Sequence, residues 1–235
     1  MGLGELAAAL GKAYLGFKAI ETGWDALKSG LGGLSGELKG IEAKRVVTHS
    51  LREGGKKKKM VMKTHVVYTI DDRIRYIKLM TKKGLDDPGI RKIAGSIITK
   101  VCGSGKNGET VWCTPEKDHQ AEIEAIFKAV KNRVRYARDI LKKDTYQHPM
   151  RTWELRMGDC DDLSSLLAAL LGSVGYESKF RVIKTKKAPD WDHIFLLVKL
   201  PKTSQWMSLD ASVNRPAGWH APRDHIDKLR DFPID

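Results

Sequence analysis

The strongest constraint on the fold is an amphipathic pattern that begins directly after Cys160. Leucines recur there with the i, i+3, i+4, i+7, i+8 spacing that places side chains on one face of an α-helix. They are Leu163, Leu166, Leu167, Leu170 and Leu171. Gly172 and Gly175 indicate where the helix ends. The sequence therefore predicts a helix with one buried face and with Cys160 at or just before its N-terminus.

A cysteine at a helix N-terminus can serve chemistry as well as packing. The unpaired backbone amides and the macrodipole at this end stabilise a thiolate. Gly158 is expected to allow the tight turn that exposes the sulfur, with Asp159 and Asp161 as supporting residues. These acids and Asp162 could simply cap the helix, and if ionised they would oppose the thiolate. A small buried cysteine is the alternative interpretation.

The segment that follows predicts three strands with a histidine and an aspartate at their ends. The strands cover residues 178–184, 194–198 and 205–209. His193 precedes the second strand and Asp210 follows the third, so antiparallel pairing would place them side by side. A base that is oriented by a carboxylate and faces a cysteine suits nucleophilic acyl chemistry. We therefore predict that Cys160, His193 and Asp210 form a catalytic triad.

Short motifs across this half of the chain together resemble the transglutaminase-like superfamily. They are Val134-Arg135-Tyr136, Gly158-Asp159-Cys160-Asp161-Asp162, Gly175-Tyr176, Phe180-Arg181-Val182, Asp192-His193-Ile194 and Trp206…Leu209-Asp210. The Cys–His–Asp order matches that of the family. The resemblance implies an α+β fold with a papain/transglutaminase-like core, in which a nucleophile helix packs on an antiparallel sheet.

A narrower resemblance is to transglutaminase-like proteins encoded by tailed bacteriophages and prophages. It is carried by Ile70-Asp71-Asp72-Arg73-Ile74, Asp87-Pro88-Gly89-Ile90-Arg91, Glu122-Ile123-Glu124-Ala125-Ile126-Phe127 and Leu209-Asp210-Ala211-Ser212…Gly218-Trp219. It implies a virion or morphogenesis protein, made in the bacterial host cytoplasm and incorporated in a phage particle.

The oxyanion hole is less well defined by the sequence. Papain-like enzymes place a side-chain donor, typically Gln or Trp, upstream of the cysteine. The residue six positions before Cys160 is Glu154 rather than Gln. Gln147, Trp153 and Tyr136 are the candidates, and the backbone N–H of Cys160 could supply a further donor.

The first 41 residues carry an independent helical pattern with two seven-residue series that form an a/d seam. The series are Leu3, Leu10, Phe17, Trp24, Leu31, Leu38 and Leu6, Ala13, Ile20, Leu27, Leu34, Ile41. Small residues recur beside the seam, so this helix should need a partner for stability. Three interpretations stay open: packing on its own domain, assembly with itself or other virion subunits, and binding to a membrane surface.

The sequence predicts four parts. They are a heptad-patterned helix over 1–41, a basic linker over 42–59, a helical accessory region over 60–117 and the catalytic domain over 118–235. Within the last three, we predict a strand over 60–69 and helices over 71–83, 87–100 and 118–138.

The net charge of +13 favours an acidic partner surface, nucleic acid or an anionic membrane face. No aromatic residues interleave with the run Lys56–Lys59, so nucleic-acid binding ranks behind the other functions. The N-terminus lacks the basic region of a signal peptide. No uncharged apolar stretch approaches the roughly 18 residues that span a bilayer.

Three cysteines, an odd number, argue against a disulfide framework and for a reducing compartment. Cys102, Cys113 and His119 offer only three zinc ligands at irregular spacing, so no metal site is predicted. No cofactor is predicted either.

The sequence thus predicts an enzyme that cleaves or transfers an amide acyl group of a protein or peptide through a Cys160 thioester. Peptidase or amidase activity is expected rather than crosslinking, because most microbial members of the family resemble proteases. The alternative is a structural virion protein that uses the fold as an assembly module, docks through residues 1–41 and needs no catalysis.

Overall fold

The computed structural model describes residues 69–139 and 144–234 in full and the backbone of residues 45–53 and 59–67. The predicted heptad helix of residues 1–41 lies outside the described residues. The helices are α1 Ile70–Leu85, α2 Pro88–Ile98, α3 His119–Arg133, α4 Pro149–Leu155 and α5 Cys160–Ser173. The strands are β1 Arg45–Glu53, β2 Lys59–Val67, β3 Val101–Ser104, β4 Thr110–Trp112, β5 Arg135–Tyr136, β6 Asp144–Tyr146, β7 Met157–Gly158, β8 Ser178–Thr185, β9 His193–Lys199, β10 Trp206–Leu209 and β11 Ile226–Pro233.

Helix α5 lies at the centre of the fold, and Asp159 is its N-cap. The Asp159 Oδ1 accepts hydrogen bonds from the backbone N–H groups of Asp161 at 3.2 Å and Asp162 at 3.4 Å. The predicted leucine face is buried, and Ser165 and Ala169 on the other faces are buried as well. The helix is enclosed because strand β9 packs on one side while helices α1 to α4 pack around the rest.

The sheet beside α5 has four antiparallel strands in the order β10-β9-β8-β11. Leu209 of β10 pairs with Leu196 of β9, so the end of β10 lies beside the middle of β9, three residues from His193. Strand β8 pairs with β9 on the other side, and Ile183 lies opposite His193. The predicted α+β fold, with the nucleophile helix packed on an antiparallel sheet, is confirmed.

Helix α1 packs directly on α5. At Gly84 a Cβ atom would lie 2.5 Å from Pro149 Cγ and 2.9 Å from Ala169 Cβ, so only glycine allows this approach. The hydroxyl oxygens of Thr81 and Ser165 lie 2.9 Å apart in the interface. Apolar side chains of α1 and α5 therefore belong to one continuous core.

The segment predicted as a linker contains strand β1. Strand β1 pairs antiparallel with β2 along its whole length and in parallel with β6 at residues 47–49. The expectation of a linker over 42–59 is therefore wrong for residues 45–53. The β-branched run Val46-Val47-Thr48 favours a strand, and pairing with two neighbours satisfies its backbone.

Helix α3 ends at Arg133, five residues earlier than predicted. Val134 has an extended backbone with φ −108° and ψ 121°. Arg135 and Tyr136 then pair in parallel with Met157 and Gly158. This correction matters for the site, because strand β5 carries Tyr136 to the turn that precedes Cys160.

A disulfide joins Cys102 and Cys113, whose Cα atoms lie 4.9 Å apart. The expectation that the chain forms no disulfide is therefore wrong. Pairing of Val101 with Trp112 in the β3–β4 hairpin brings the two cysteines together, and Cys160 is left as the free thiol. The two bonded sulfurs are no longer available as zinc ligands. In the described part of the chain, every helix is too short or too polar to cross a membrane.

Candidate active site

Cys160 is the first residue of α5 and is half-buried with a free thiol. The preceding Gly158 is required for packing rather than for a left-handed turn. A Cβ atom there would lie 2.7 Å from Asp162 Cβ and 3.2 Å from Thr152 Cγ2. The close approach of the first helical turn, rather than exposure of the sulfur, is the reason for glycine at this position.

His193 is the first residue of β9, and it lies between the other two predicted triad residues. Its Nε2 atom is 2.7 Å from Asp210 Oδ2. Its imidazole lines the same cleft as the Cys160 side chain, and the interaction between the two residues raises the pKa of His193. Because Nε2 is occupied by Asp210, Nδ1 is the nitrogen available to the sulfur.

Asp210 directly follows β10, and its side chain is almost completely buried. Its Oδ1 accepts hydrogen bonds from Ser212, from the backbone N–H at 3.1 Å and from Oγ at 2.7 Å. Burial alone would raise the pKa of Asp210, but the hydrogen bonds from His193 and Ser212 hold it below its usual range. Ser212 was missed as a site residue; its only signal in the sequence is its position two residues after an aspartate.

His193 has a raised pKa of about 10. Burial disfavours the imidazolium, yet the hydrogen bonds and charges of Asp210 and Cys160 outweigh that cost. The geometry thus brings an imidazole that is oriented by a buried carboxylate to the cleft that Cys160 lines.

The three acids around Cys160 form one cluster, with ligand atoms within 4.8 Å of one another. Burial raises the pKa of Asp161 well above its usual range, and the neighbouring charges of Asp159 and Asp162 raise it further. Burial raises the pKa of Asp162 and of Asp159 as well. Burial and mutual repulsion therefore both disfavour the simultaneous ionisation of all three acids.

Hydrogen-bond donors bind Asp159 and Asp162 of this cluster, whereas Asp161 Oδ1 is buried without a hydrogen-bond partner among the described residues. The Asp159 Oδ1 is bound by two backbone amides. Both oxygens of Asp162 accept bonds from Gln147, Oδ1 from its backbone N at 2.7 Å and Oδ2 from its Nε2 at 2.6 Å. A metal ion at this cluster would compete with these donors for the oxygen atoms of Asp159 and Asp162.

The three oxyanion-hole candidates lie in different places. The amide of Gln147 is directed to Asp162, and the ring of Trp153 lies 4.4 Å from the Arg133 guanidinium carbon. Neither residue lines the cleft at Cys160. Tyr136 does line it. Burial and the charge of Cys160 raise the pKa of Tyr136, and the neighbouring Arg138 opposes this rise.

A cleft of about 370 Å³ opens in front of Cys160 and His193. One side is formed by the start of α5 and by β9, as the triad prediction requires. The opposite side was not foreseen. It consists of side chains from α1, from the β5 and β6 regions and from Trp191. The α1 residues are Ile70, Arg73, Ile74 and Ile77.

Residues 109–211 match the family model of the transglutaminase-like superfamily. The matched range contains Cys160, His193 and Asp210. The chain therefore carries a transglutaminase-like core, preceded in sequence by β1, β2, α1, α2 and β3. No curated protein matches the chain.

Two solved structures are similar to part of this chain. A candidate cysteine protease from Cytophaga hutchinsonii is 18% identical, with a TM-score of 0.38 over 62% of this chain and 40% of that chain. A candidate protease from Parabacteroides distasonis ATCC 8503 is 10% identical, with a TM-score of 0.39 over 70% of this chain and 39% of that chain. The chain thus matches about two fifths of the length of each structure.

Proposed function

We propose that this chain is a cysteine-nucleophile enzyme that cleaves or transfers an amide acyl group, most readily as a peptidase or amidase. The observation that carries the proposal is the connected arrangement of Cys160, His193 and Asp210 at the mouth of a cleft within a transglutaminase-like core. A nucleophile, a base and an orienting carboxylate in hydrogen-bond contact are the parts that acyl transfer requires.

In the first half-reaction the Cys160 thiolate attacks the carbonyl carbon of a carboxamide or peptide bond. The His193 imidazolium then gives its proton to the leaving amine, and a thioester remains on Cys160. In the second half-reaction His193 takes a proton from water or from an acceptor amine, which attacks the thioester. The products are the free acid or a new amide, together with the regenerated thiol. Asp210 holds the imidazole in one tautomer throughout.

Two donors are positioned for the oxyanion of the tetrahedral intermediates. The backbone N–H of Cys160 is at the first helical position, where it has no partner within the helix. The hydroxyl of Tyr136 is the second, because it lines the same cleft and its raised pKa keeps it protonated. Removal of one such donor typically costs about 10²–10³ in rate.

The biological setting that we propose is a phage particle, with a phage structural protein or a cell-wall peptide as substrate. It is supported by the sequence resemblance of residues 70–74 and 87–91 to proteins of tailed phages. Docking to other virion subunits, or to a second copy, is assigned to residues 1–41. A purely structural virion role for the same fold is the alternative, and it requires no reactive thiol.

Alkylation of Cys160 by iodoacetamide tests the catalytic proposal directly. The disulfide occupies the other two cysteines, so labelling of the native protein reports on Cys160 alone. We expect rapid labelling near pH 6 in the native protein and a loss of roughly 10²-fold in His193→Ala. Labelling that becomes rapid only above about pH 8, as for a model thiol, would contradict the activated pair and favour the structural alternative.

A further inference from the structure

Helix α1 lies outside the family-matched range 109–211 but forms part of the cleft wall. It packs against the core through buried side chains such as Ile74, Ile77 and Met80. The Asp71 carboxylate accepts two hydrogen bonds from the Arg230 guanidinium, at 2.9 and 3.0 Å. At its other end Gly84 packs against Ala169 of α5. Helix α1 is therefore a fixed platform from which a side chain can act on the site.

Arg73 is the α1 side chain that reaches across the cleft. Its Nη2 atom donates a hydrogen bond to the backbone carbonyl of Trp191 at 3.2 Å. Its Nη1 atom lies 3.9 Å from Asp190 Oδ2. The Arg73 side chain is only 13% exposed, whereas the Asp190 side chain is 43% exposed, so the guanidinium is shielded and the carboxylate still meets water.

The segment that Arg73 holds leads directly into the catalytic histidine. Trp191 lines the cleft and packs on the main core. The next residue, Asp192, accepts hydrogen bonds from Thr185, from its backbone N at 2.7 Å and from Oγ1 at 2.8 Å. Residues 190–192 are thus tied to β8 through Asp192 and to α1 through Arg73, immediately before His193 begins β9.

We propose that Arg73 is a positioning residue of the active site, which holds the 190–192 segment so that the His193 imidazole faces Cys160 and Trp191 closes the cleft. This rests on the proposed function, since it assigns the residue a role in the Cys160–His193 pair. A guanidinium suits the role because its planar fork reaches a carbonyl and a carboxylate together, which a lysine ammonium does not reproduce.

The test is the pH profile of Cys160 alkylation in Arg73→Met and Arg73→Gln, together with the thermal unfolding midpoint of each variant. Arg73→Met keeps an apolar stem, and Arg73→Gln keeps one planar donor group. Arg75→Met is the matched control, because Arg75 lies on the same helix and is exposed. We expect roughly tenfold slower labelling near pH 6 in Arg73→Met and a profile displaced toward higher pH, as misplacement of a catalytic group predicts. Arg75→Met should retain the native profile.

The outcomes separate this inference from the proposed function. Native protein whose labelling does not depend on His193 would overturn the proposed function itself. A His193-dependent native profile that is unchanged in a folded Arg73→Met or Arg73→Gln variant would overturn the positioning role alone. Loss of cooperative unfolding in both variants would assign Arg73 to the stability of the fold, and would also overturn the positioning role.

Discussion

The three cysteines of the chain lie in two regions that differ in burial and in covalent state. Cys102 and Cys113 belong to the β3–β4 hairpin, where every residue of both strands is exposed and a disulfide joins the strands. Cys160 lies at the N-terminus of a helix that is buried on all sides, in contact with an imidazole. A covalent bond constrains the β3–β4 hairpin, whereas packing in the hydrophobic core fixes the helix that carries Cys160.

The surroundings of each cysteine thus determine whether its sulfur forms a disulfide or stays a free thiol. An isolated two-stranded hairpin is marginally stable in water, so the disulfide supplies the constraint that a core would otherwise give. At Cys160 the surrounding core holds a helix end, an imidazole and a carboxylate at one cleft, which is the arrangement that our proposed cysteine nucleophile requires. The following variants test whether the two regions are as independent as this comparison indicates.

The largest effect is expected at Asp210. In Asp210→Ala, the pKa of His193 should fall from about 10, because burial is then no longer opposed by the carboxylate. The imidazolium would be lost at lower pH, and we expect labelling of Cys160 near pH 6 to slow by about 10–100-fold. Asp210→Asn keeps a hydrogen-bond acceptor for His193, so its rate of Cys160 labelling should fall less than that of Asp210→Ala.

The pH dependence of stability is a second test of the interaction between His193 and Asp210. The pKa of His193 is raised in the folded state from the ordinary 6.5 to about 10. Protonated His193 therefore stabilises the native protein, fully below pH 6.5, and this contribution is lost as the pH rises through about 10. Urea unfolding of the native protein should therefore show this decline, and Asp210→Ala should show less of it. Parallel pH profiles for the two proteins would contradict the assigned coupling.

An intermediate effect is expected from Gly158→Ala, which tests the packing of the nucleophile turn. The new methyl group would overlap Asp162 and Thr152, and we expect a loss of roughly 1–3 kcal/mol in the free energy of unfolding. Gly95→Ala in α2 is the matched control, since no atom lies within 4 Å of its added Cβ. That variant should gain about 0.5–1 kcal/mol, because alanine favours a helix interior. Equal urea midpoints for the two variants would show that the turn is not tightly packed.

The smallest effect on the site is expected in the double variant Cys102→Ser/Cys113→Ser. Its free energy of unfolding should fall by at most about 3 kcal/mol, the chain-entropy value for a short loop. The rate of Cys160 labelling near pH 6 should stay within twofold of the native value. A larger change in that rate would show that the structure of the hairpin affects the cleft, and the two regions would then not be independent.

Local sequence signals were sufficient for several parts of the fold. The sequence identified the helix after Cys160 by its leucine spacing and the start of α2 by Asp87-Pro88. It also identified the apolar strands that have His193 and Asp210 at their ends. Each of these signals is a periodicity or a cap that depends only on neighbouring residues. The triad could be proposed because its residues occupy the ends of three strongly patterned elements.

Other features depended on partners that are distant in sequence. Helix α3 ends at Arg133 because Arg135 and Tyr136 pair with β7, and nothing near them in sequence predicts that pairing. The disulfide required the hairpin that aligns Val101 with Trp112. Gln147 and Trp153 were plausible oxyanion donors by composition, but their directions were set by Asp162 and Arg133.

From the sequence alone we could predict the helix that begins at Cys160, the Cys–His–Asp order of the candidate triad and the strands beside His193 and Asp210. This was possible because helix and strand patterns repeat over a few residues and are set by local burial. The tertiary structure was needed to see which side chains close the cleft, which donors bind the acid cluster and that Arg73 contacts the segment before His193. These features arise between residues far apart in the chain, where burial and distance, rather than spacing along the sequence, determine charge and contact.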